Sequence, residues 1–218
     1  MLRSVKEMQE YAAVAIDGEI GEVEEFYLDD RYWTIRYLVV GIRNDELNRR
    51  VLITPAALGQ PDREGRVLRV ALSVEQASRR PNTDSERPVS RQERSESVAS
   101  EEEPGRPGDP HLRSSKQVIG YHIQARDGEI GHVEDFVVND EMWTIHFVIV
   151  DTRNWWPGRK VLMAPTWIKQ VDWAAGKVEV DLSRGTIEKS PQYDPSLPLD
   201  SQYEKELSDY YDRPYYWR

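Results

Sequence analysis

Carboxylates and imidazoles are the groups in this chain whose types and spacing could do chemistry. Asp17-Gly18-Glu19 returns as Asp127-Gly128-Glu129, and paired carboxylates of this kind can act as an acid and a base or hold a cation. Turn geometry alone, however, accounts for an Asp-Gly step, and Glu22, Glu24 and Glu25 fit a solvated strand face. His122, His132 and His146 would make a metal site only by converging from three strands. Their counterparts Ala12, Glu22 and Arg36 do not repeat such a set, so surface or hydrogen-bonded roles are expected. Glycine-rich phosphate loops, nucleophile elbows and metalloprotease patterns do not occur. With zero cysteines, thiolate catalysis, disulfides and cysteine-held zinc or iron–sulfur centres are also excluded. No catalytic residue, metal ligand or cofactor is therefore assigned, and the expectation is a protein that is not an enzyme.

What positions these residues is a duplication. The stretch Asp17 to Phe26 recurs as Asp127 to Phe136 with eight of ten positions identical, 110 residues on. The register holds without a gap through Trp33-Thr34-Ile35 and Trp143-Thr144-Ile145, Val51-Leu52 and Val161-Leu162, and Pro55 and Pro165. A fixed-period self-similarity of this length reports a repeated structural unit. The expected organisation is a first repeat over 1–80, an acidic flexible linker over 81–111, a second repeat over 112–190 and an aromatic tail over 191–218.

Each repeat carries the signals of a small β domain. The Asp-Gly pair predicts a hairpin of type I′, in which both turn residues take positive φ, and Gly21 inside the following strand predicts a bulge. Strands are expected over 19–28, 33–40, 49–54 and 66–72, and in the second repeat over 118–123, 130–138, 143–150, 160–163 and 177–182. Short strands with tight turns and a helical turn or two predict a closed or nearly closed barrel. The fold class is mainly β, two tandem barrels of SH3-like size with a short C-terminal helix.

The net charge of -10 lies mostly outside the repeats, about -4 in 81–111 and -3 in 191–218. Without a basic stripe, phosphate neutralisation has little to work with, which argues against direct nucleic-acid binding. No apolar run approaches the 18 residues of a membrane span, and the first residues have no apolar signal region; a cytoplasmic protein is expected. The linker, rich in Ser, Glu, Arg, Pro and Gly, cannot offset its ordering entropy and is expected to be mobile over 94–109.

The second repeat and tail hold most of the aromatics. Trp155-Trp156-Pro157-Gly158 replaces Asp45-Glu46-Leu47-Asn48, and Trp167 and Trp173 replace Ala57 and Arg63. Trp155 and Trp156 with adjacent Arg159 form either a partner-binding hot spot or a lid folded over the barrel end or against the C-terminal tail. Ser201-x-x-Glu204 opens a helix whose stripe is Tyr203, Leu207, Tyr210 and Tyr211, until Pro214 stops it ahead of Tyr215-Tyr216-Trp217. This stripe and Trp217 are the remaining candidate partner-binding residues.

The signature Asp-Gly-Glu-Ile-Gly, a Trp-initiated strand and Val-Leu-x-x-Pro resembles the PRC-barrel family, at Asp17 to Gly21, Trp33 to Val40 and Val51 to Pro55, and again at Asp127 to Gly131, Trp143 to Val150 and Val161 to Pro165. The Asn154 to Lys160 loop and the Pro191 to Trp217 tail are similar to those of bacterial tandem PRC-barrel proteins. The resemblance implies an adaptor or assembly role, with a protein partner or complex, a homodimer being one form of it, and it carries no catalytic residue. The competing expectations are a ribosome- or RNA-processing-associated factor acting through a ribosomal protein, and a small-ligand sensor.

Overall fold

The structure is a computed structural model that describes residues 1–42, 49–83, 88, 109–152, 159–197, 199 and 201–212. The chain is mainly β and divides into two compact units whose boundaries differ from those of the repeats. Unit 1 comprises Met1, Arg3–Gln117 and Asp140–Thr144; unit 2 comprises Leu2, Val118–Asn139 and Ile145–Arg218.

The chain opens with β1 (Leu2–Ser4) and α1 (Val5–Met8), a single turn capped by the Ser4 hydroxyl, which accepts from the Glu7 N–H at 2.9 Å. In unit 1, β2 (Ala12–Val14) and β3 (Glu19–Asp29) form the expected hairpin. The turn differs from expectation. Val14 pairs with Glu19, leaving four residues in the loop, and neither Asp17 nor Gly18 adopts positive φ. The register shift between Ala13 and Val14 is the bulge that Gly21 foretold. β4 (Thr34–Ile42) pairs with β3 and with β5 (Arg50–Ile53), a 3-10 turn follows at Pro55–Ala57, and β6 (Val67–Arg69) runs parallel to β2. α2 (Val74–Ser78) comes next, and no strand or turn signal had pointed to it.

Two features of unit 1 come from the second repeat. β7 (Leu112–Ser114) pairs antiparallel with the end of β3, Tyr27 opposite Ser114 and Asp29 opposite Leu112. In the turn at Asp140–Thr144 the Trp143 carbonyl accepts from the Ile35 N–H at 2.7 Å, and the Trp143 ring stacks on Phe26. β3 and β4 are consequently buried on both faces. Phe26, Leu38 and Val40 line one side, while Tyr27, Val39 and Leu52 cluster with Leu112 on the other. Trp33 was expected to begin a strand, yet it takes φ +52° and its equivalent Trp143 φ +54°. Both are left-handed turn residues, a conformation that costs a non-glycine residue roughly 1 kcal/mol or more, and the strands begin one residue later.

In unit 2, α3 (Ser115–Val118), whose last residue falls here, precedes β8 (His122–Ala125), so the strand expected at 118–123 begins four residues later. β9 (Gly128–Asn139) pairs with β8 and with β10 (Thr144–Asp151), and β11 (Lys160–Met163) pairs with β10. Gly131 is required to be glycine, because it sits at φ +144° and a Cβ there would collide with the Asp151 carbonyl. A 3-10 turn at Pro165–Trp167 leads into β12 (Ile168–Asp172), which pairs with β13 (Lys177–Val180), itself parallel to β8. α4 (Arg184–Glu188) and α5 (Ser201–Tyr211) complete the chain; α5 was expected, α4 was not. Among the described residues, no helix is long and apolar enough to cross a membrane.

The expected mobile segment lies outside the described residues apart from Asp109, and the described ends of the linker are held by unit 1. The Pro81 carbonyl accepts from Leu52 N–H at 2.8 Å, and the Asp109 carboxylate meets Arg36 at 3.5 Å.

Candidate functional site

The repeated aspartates have a structural task that turn geometry did not reveal. Asp17 Oδ1 accepts from the Val74 N–H at 2.8 Å, and Asp127 Oδ1 accepts from the Arg184 N–H at 2.7 Å. Each satisfies the first free N–H of the short helix after the last strand, while Ser73 and Ser183 satisfy the N–H of Gln76 and Thr186 at 3.1 Å. Helix starts leave four such donors unpaired, so these carboxylates tie the hairpin to α2 or α4 by capping.

A second matched pair clamps the β3–β4 and β9–β10 turns. Asp30 receives Arg113 Nε at 2.7 Å and faces His111 Nδ1 at 2.8 Å. Asp140 receives Arg3 Nε at 3.1 Å and the ammonium of Met1. Next to the first clamp, Asp29 accepts from the Arg31 and Tyr32 backbone and from Arg36 at 3.0 Å. Burial tends to raise its pKa, but the hydrogen bonds and the Arg31 charge prevail, and it lies below the usual aspartate value. The two clamped turns present Tyr32 and Met142 to solvent, 71% and 72% exposed, with the Arg31 guanidinium over the Tyr32 ring. Sequence reasoning missed the clamps. Their signal was available in the repeated Leu-Arg-Ser at Leu2–Ser4 and Leu112–Ser114.

The candidate partner-binding residues separate into three groups. Trp155, Trp156 and Trp217 lie outside the described residues. Arg159 is anchored, its Nη2 donating to the Ser190 carbonyl. Of the α5 stripe, Leu207 and Tyr211 are buried in unit 2, Tyr211 lying 4.2 Å from Trp167 between ring centres. Tyr203 is partly buried and donates to the Pro191 carbonyl at 3.3 Å. Burial raises the pKa of both tyrosines. Tyr210 departs from the stripe. Its ring is exposed at the rim and meets Tyr211 edge-on, while its hydroxyl donates to the Thr186 carbonyl at 2.7 Å. The helix packs on its own chain because its heptad-like spacing turns three of the four rings and side chains inward and leaves the fourth at the rim.

The three histidines do not meet at one point. His146 is buried, and burial lowers its pKa. His122 stands opposite His132 in the β8–β9 register, with Nδ1 at 2.9 Å from Glu129. His132 joins Glu134 and Asp151 instead, the three offering ligand atoms within 4.8 Å of one another. In unit 1 the corresponding place is a cleft of about 590 Å³ bordered by Glu22, Glu24, Gly41, Arg49 and Lys116.

No family model matches the chain, and comparison with curated proteins finds no match.

Proposed function

We propose that this chain is a non-enzymatic interaction and assembly adaptor built from two tandem PRC-type barrels, acting on a protein partner or complex. The observation that carries the reading is the repeated pair of exposed apolar tips. Tyr32 and Met142 occupy equivalent positions, each one residue before a left-handed tryptophan and two after a clamped aspartate. A tip whose backbone is already fixed loses little conformational freedom on binding, so its apolar surface contributes to affinity with a small ordering cost. Tyrosine and arginine at the first tip are the residue types enriched at interface centres. The residues that recur between repeats serve capping, turns and core, which suits a scaffold that displays loops.

The test uses the full chain as bait, identification of a co-purifying protein and rebinding with that protein purified. The double variant Tyr32→Ser, Met142→Ser is expected to keep its far-ultraviolet circular dichroism and melting temperature and to weaken rebinding at least tenfold. Undiminished rebinding by the double variant, or failure of any purified candidate to rebind the natural chain, overturns the reading.

A further inference from the structure

We propose that His132, Glu134 and Asp151 form a binding site for a borderline divalent transition-metal ion, with Zn²⁺ the best match to the donor set. The inference stands apart from the adaptor reading and rests on one face of the β9–β10–β11 sheet of unit 2. His132 and Glu134 are two residues apart on β9 and share a face by the alternation of strand side chains. Asp151 arrives from the last position of β10, and Lys160 stands beside it in the β10–β11 register.

The geometry is close to that of a bound metal. His132 Nε2 lies 3.7 Å from Glu134 Oε2. Two donors at metal distances of about 2.0–2.2 Å in a tetrahedral arrangement are themselves about 3.5 Å apart. All three ligand atoms already fall within 4.8 Å of one another, so closure requires side-chain rotation of about 1 Å rather than backbone movement. Lys160 Nζ holds the other Glu134 oxygen, Oε1, at 2.9 Å. That contact fixes the carboxylate plane and leaves Oε2 directed to the imidazole, the role outer partners play around metal ligands. His132 and Glu134 are partly exposed while Asp151 is buried, so solvent reaches the cluster from the β9 residues.

The duplication supplies an independent argument. At the equivalent positions the first repeat has Glu22, Glu24 and Gly41, with Arg50 in place of Lys160. The Glu24 side chain there lies over Gly41, where a Cβ would collide with it. Two changes, Glu22 to His132 and Gly41 to Asp151, introduce an imidazole and a third-strand carboxylate at one spot. The flanking core is meanwhile retained as Val23 and Val133, Val40 and Val150, and Val51 and Val161, all buried. One nitrogen and two oxygens favour Zn²⁺ and its transition-metal neighbours over Mg²⁺ and Ca²⁺, which select oxygen ligands alone.

The experiment uses the full chain freed of metal with a chelator and titrated with Zn²⁺ alone, read by calorimetry and by thermal unfolding. Co²⁺ is the spectroscopic probe, since its visible absorption reports nitrogen and oxygen ligands directly. One Zn²⁺ per chain is expected, with a dissociation constant in the micromolar range or below and a raised melting temperature that Mg²⁺ does not reproduce. His132→Ala, at a partly exposed position, and Asp151→Gly, which restores the first repeat's residue, should each weaken binding at least tenfold and abolish the Co²⁺ absorption. If Asp151→Gly fails to fold, His132→Ala alone decides. No response of the natural chain to millimolar Zn²⁺, or binding that survives His132→Ala unchanged, overturns the proposal.

Discussion

Unit 1 and unit 2 use the same local grammar for different ends. Both cap a short helix with the hairpin aspartate, through Asp17 and Asp127. Both aspartates accept from the first N–H of the following helix although the hairpins differ, with Val14 pairing Glu19 across four loop residues and Ala125 pairing Gly128 across two. Away from those points the units diverge. Unit 1 holds both clamped turns and an open cleft beside Gly41; at the matching face unit 2 has His132 and Asp151, and it adds Trp167 beneath α5. The contrast separates residues that maintain a fold, which recur, from residues that give one copy its own chemistry, which do not.

The two clamps offer the hardest test of that contrast. Removing Asp30 takes the carboxylate from Arg113, 9% exposed and left with the Pro110 carbonyl, whereas removing Asp140 takes it from Arg3, 16% exposed and left with the Pro61 carbonyl, and from an ammonium that water can reach. Breaking a buried pair from one side costs about 3–5 kcal/mol because the remaining charge has no compensation. Asp30→Ala is therefore expected to lower the urea midpoint strongly and Asp140→Ala distinctly less. Equal losses would show that burial of the remaining cation does not set the cost.

Unit 2 should depend on its own addition. Each fully buried large apolar side chain contributes about 1.5–3 kcal/mol, and a chain ending at Ser190 loses Leu207 and Tyr211. After the ordering entropy of the helix is subtracted, a loss of about 3 kcal/mol is expected, seen as a melting temperature several degrees lower and increased binding of a hydrophobic dye. An unchanged melting temperature and solubility would show that α5 contributes nothing to unit 2.

The shared cap should have shared consequences. Asp17→Ala and Asp127→Ala are each expected to cost about 1 kcal/mol, the usual value of a helix cap, measured by chemical denaturation. A several-fold difference between them would mean that one aspartate has a task beyond capping.

The smallest effect concerns pH. His146 occupies the place of Arg36 in the first repeat, and burial holds its pKa below the ordinary histidine value of 6.5. Below that value the unfolded chain takes up a proton that the folded chain resists, so stability is complete above about pH 6.5 and declines as pH falls from there toward the folded pKa. Substituting His146→Gln should flatten the melting temperature between pH 7 and 5. A slope that persists in the variant assigns the effect to other groups.

Local signals made much of the fold legible. The 110-residue register, the hairpin at Asp17-Gly18, the bulge at Gly21 and the stripe of α5 are consequences of neighbours a few residues apart, where turn chemistry and periodicity act. The turn type was not legible, since the same Asp-Gly pair closes a four-residue loop between Val14 and Glu19 and a two-residue loop between Ala125 and Gly128. Left-handed Trp33 and Trp143 also escaped, because bulky aromatics promote strands locally and only the clamped turn and the packing of Trp143 on Phe26 offset the backbone cost. The short helices α2 and α4 are too brief for a periodic pattern and exist through their caps.

The amino-acid sequence by itself determined that the protein is duplicated, mainly β and free of cysteine chemistry, with most of its net negative charge outside its repeats, because composition and period are properties of the chain. Only the tertiary structure decided that Leu112–Ser114 completes the strand array of the first unit, that Leu207 and Tyr211 are spent on their own chain, and that His132 finds Asp151 rather than another histidine. Strand pairing brings together residues with no fixed separation in sequence, and which face they share depends on register and bulges that no local pattern specifies.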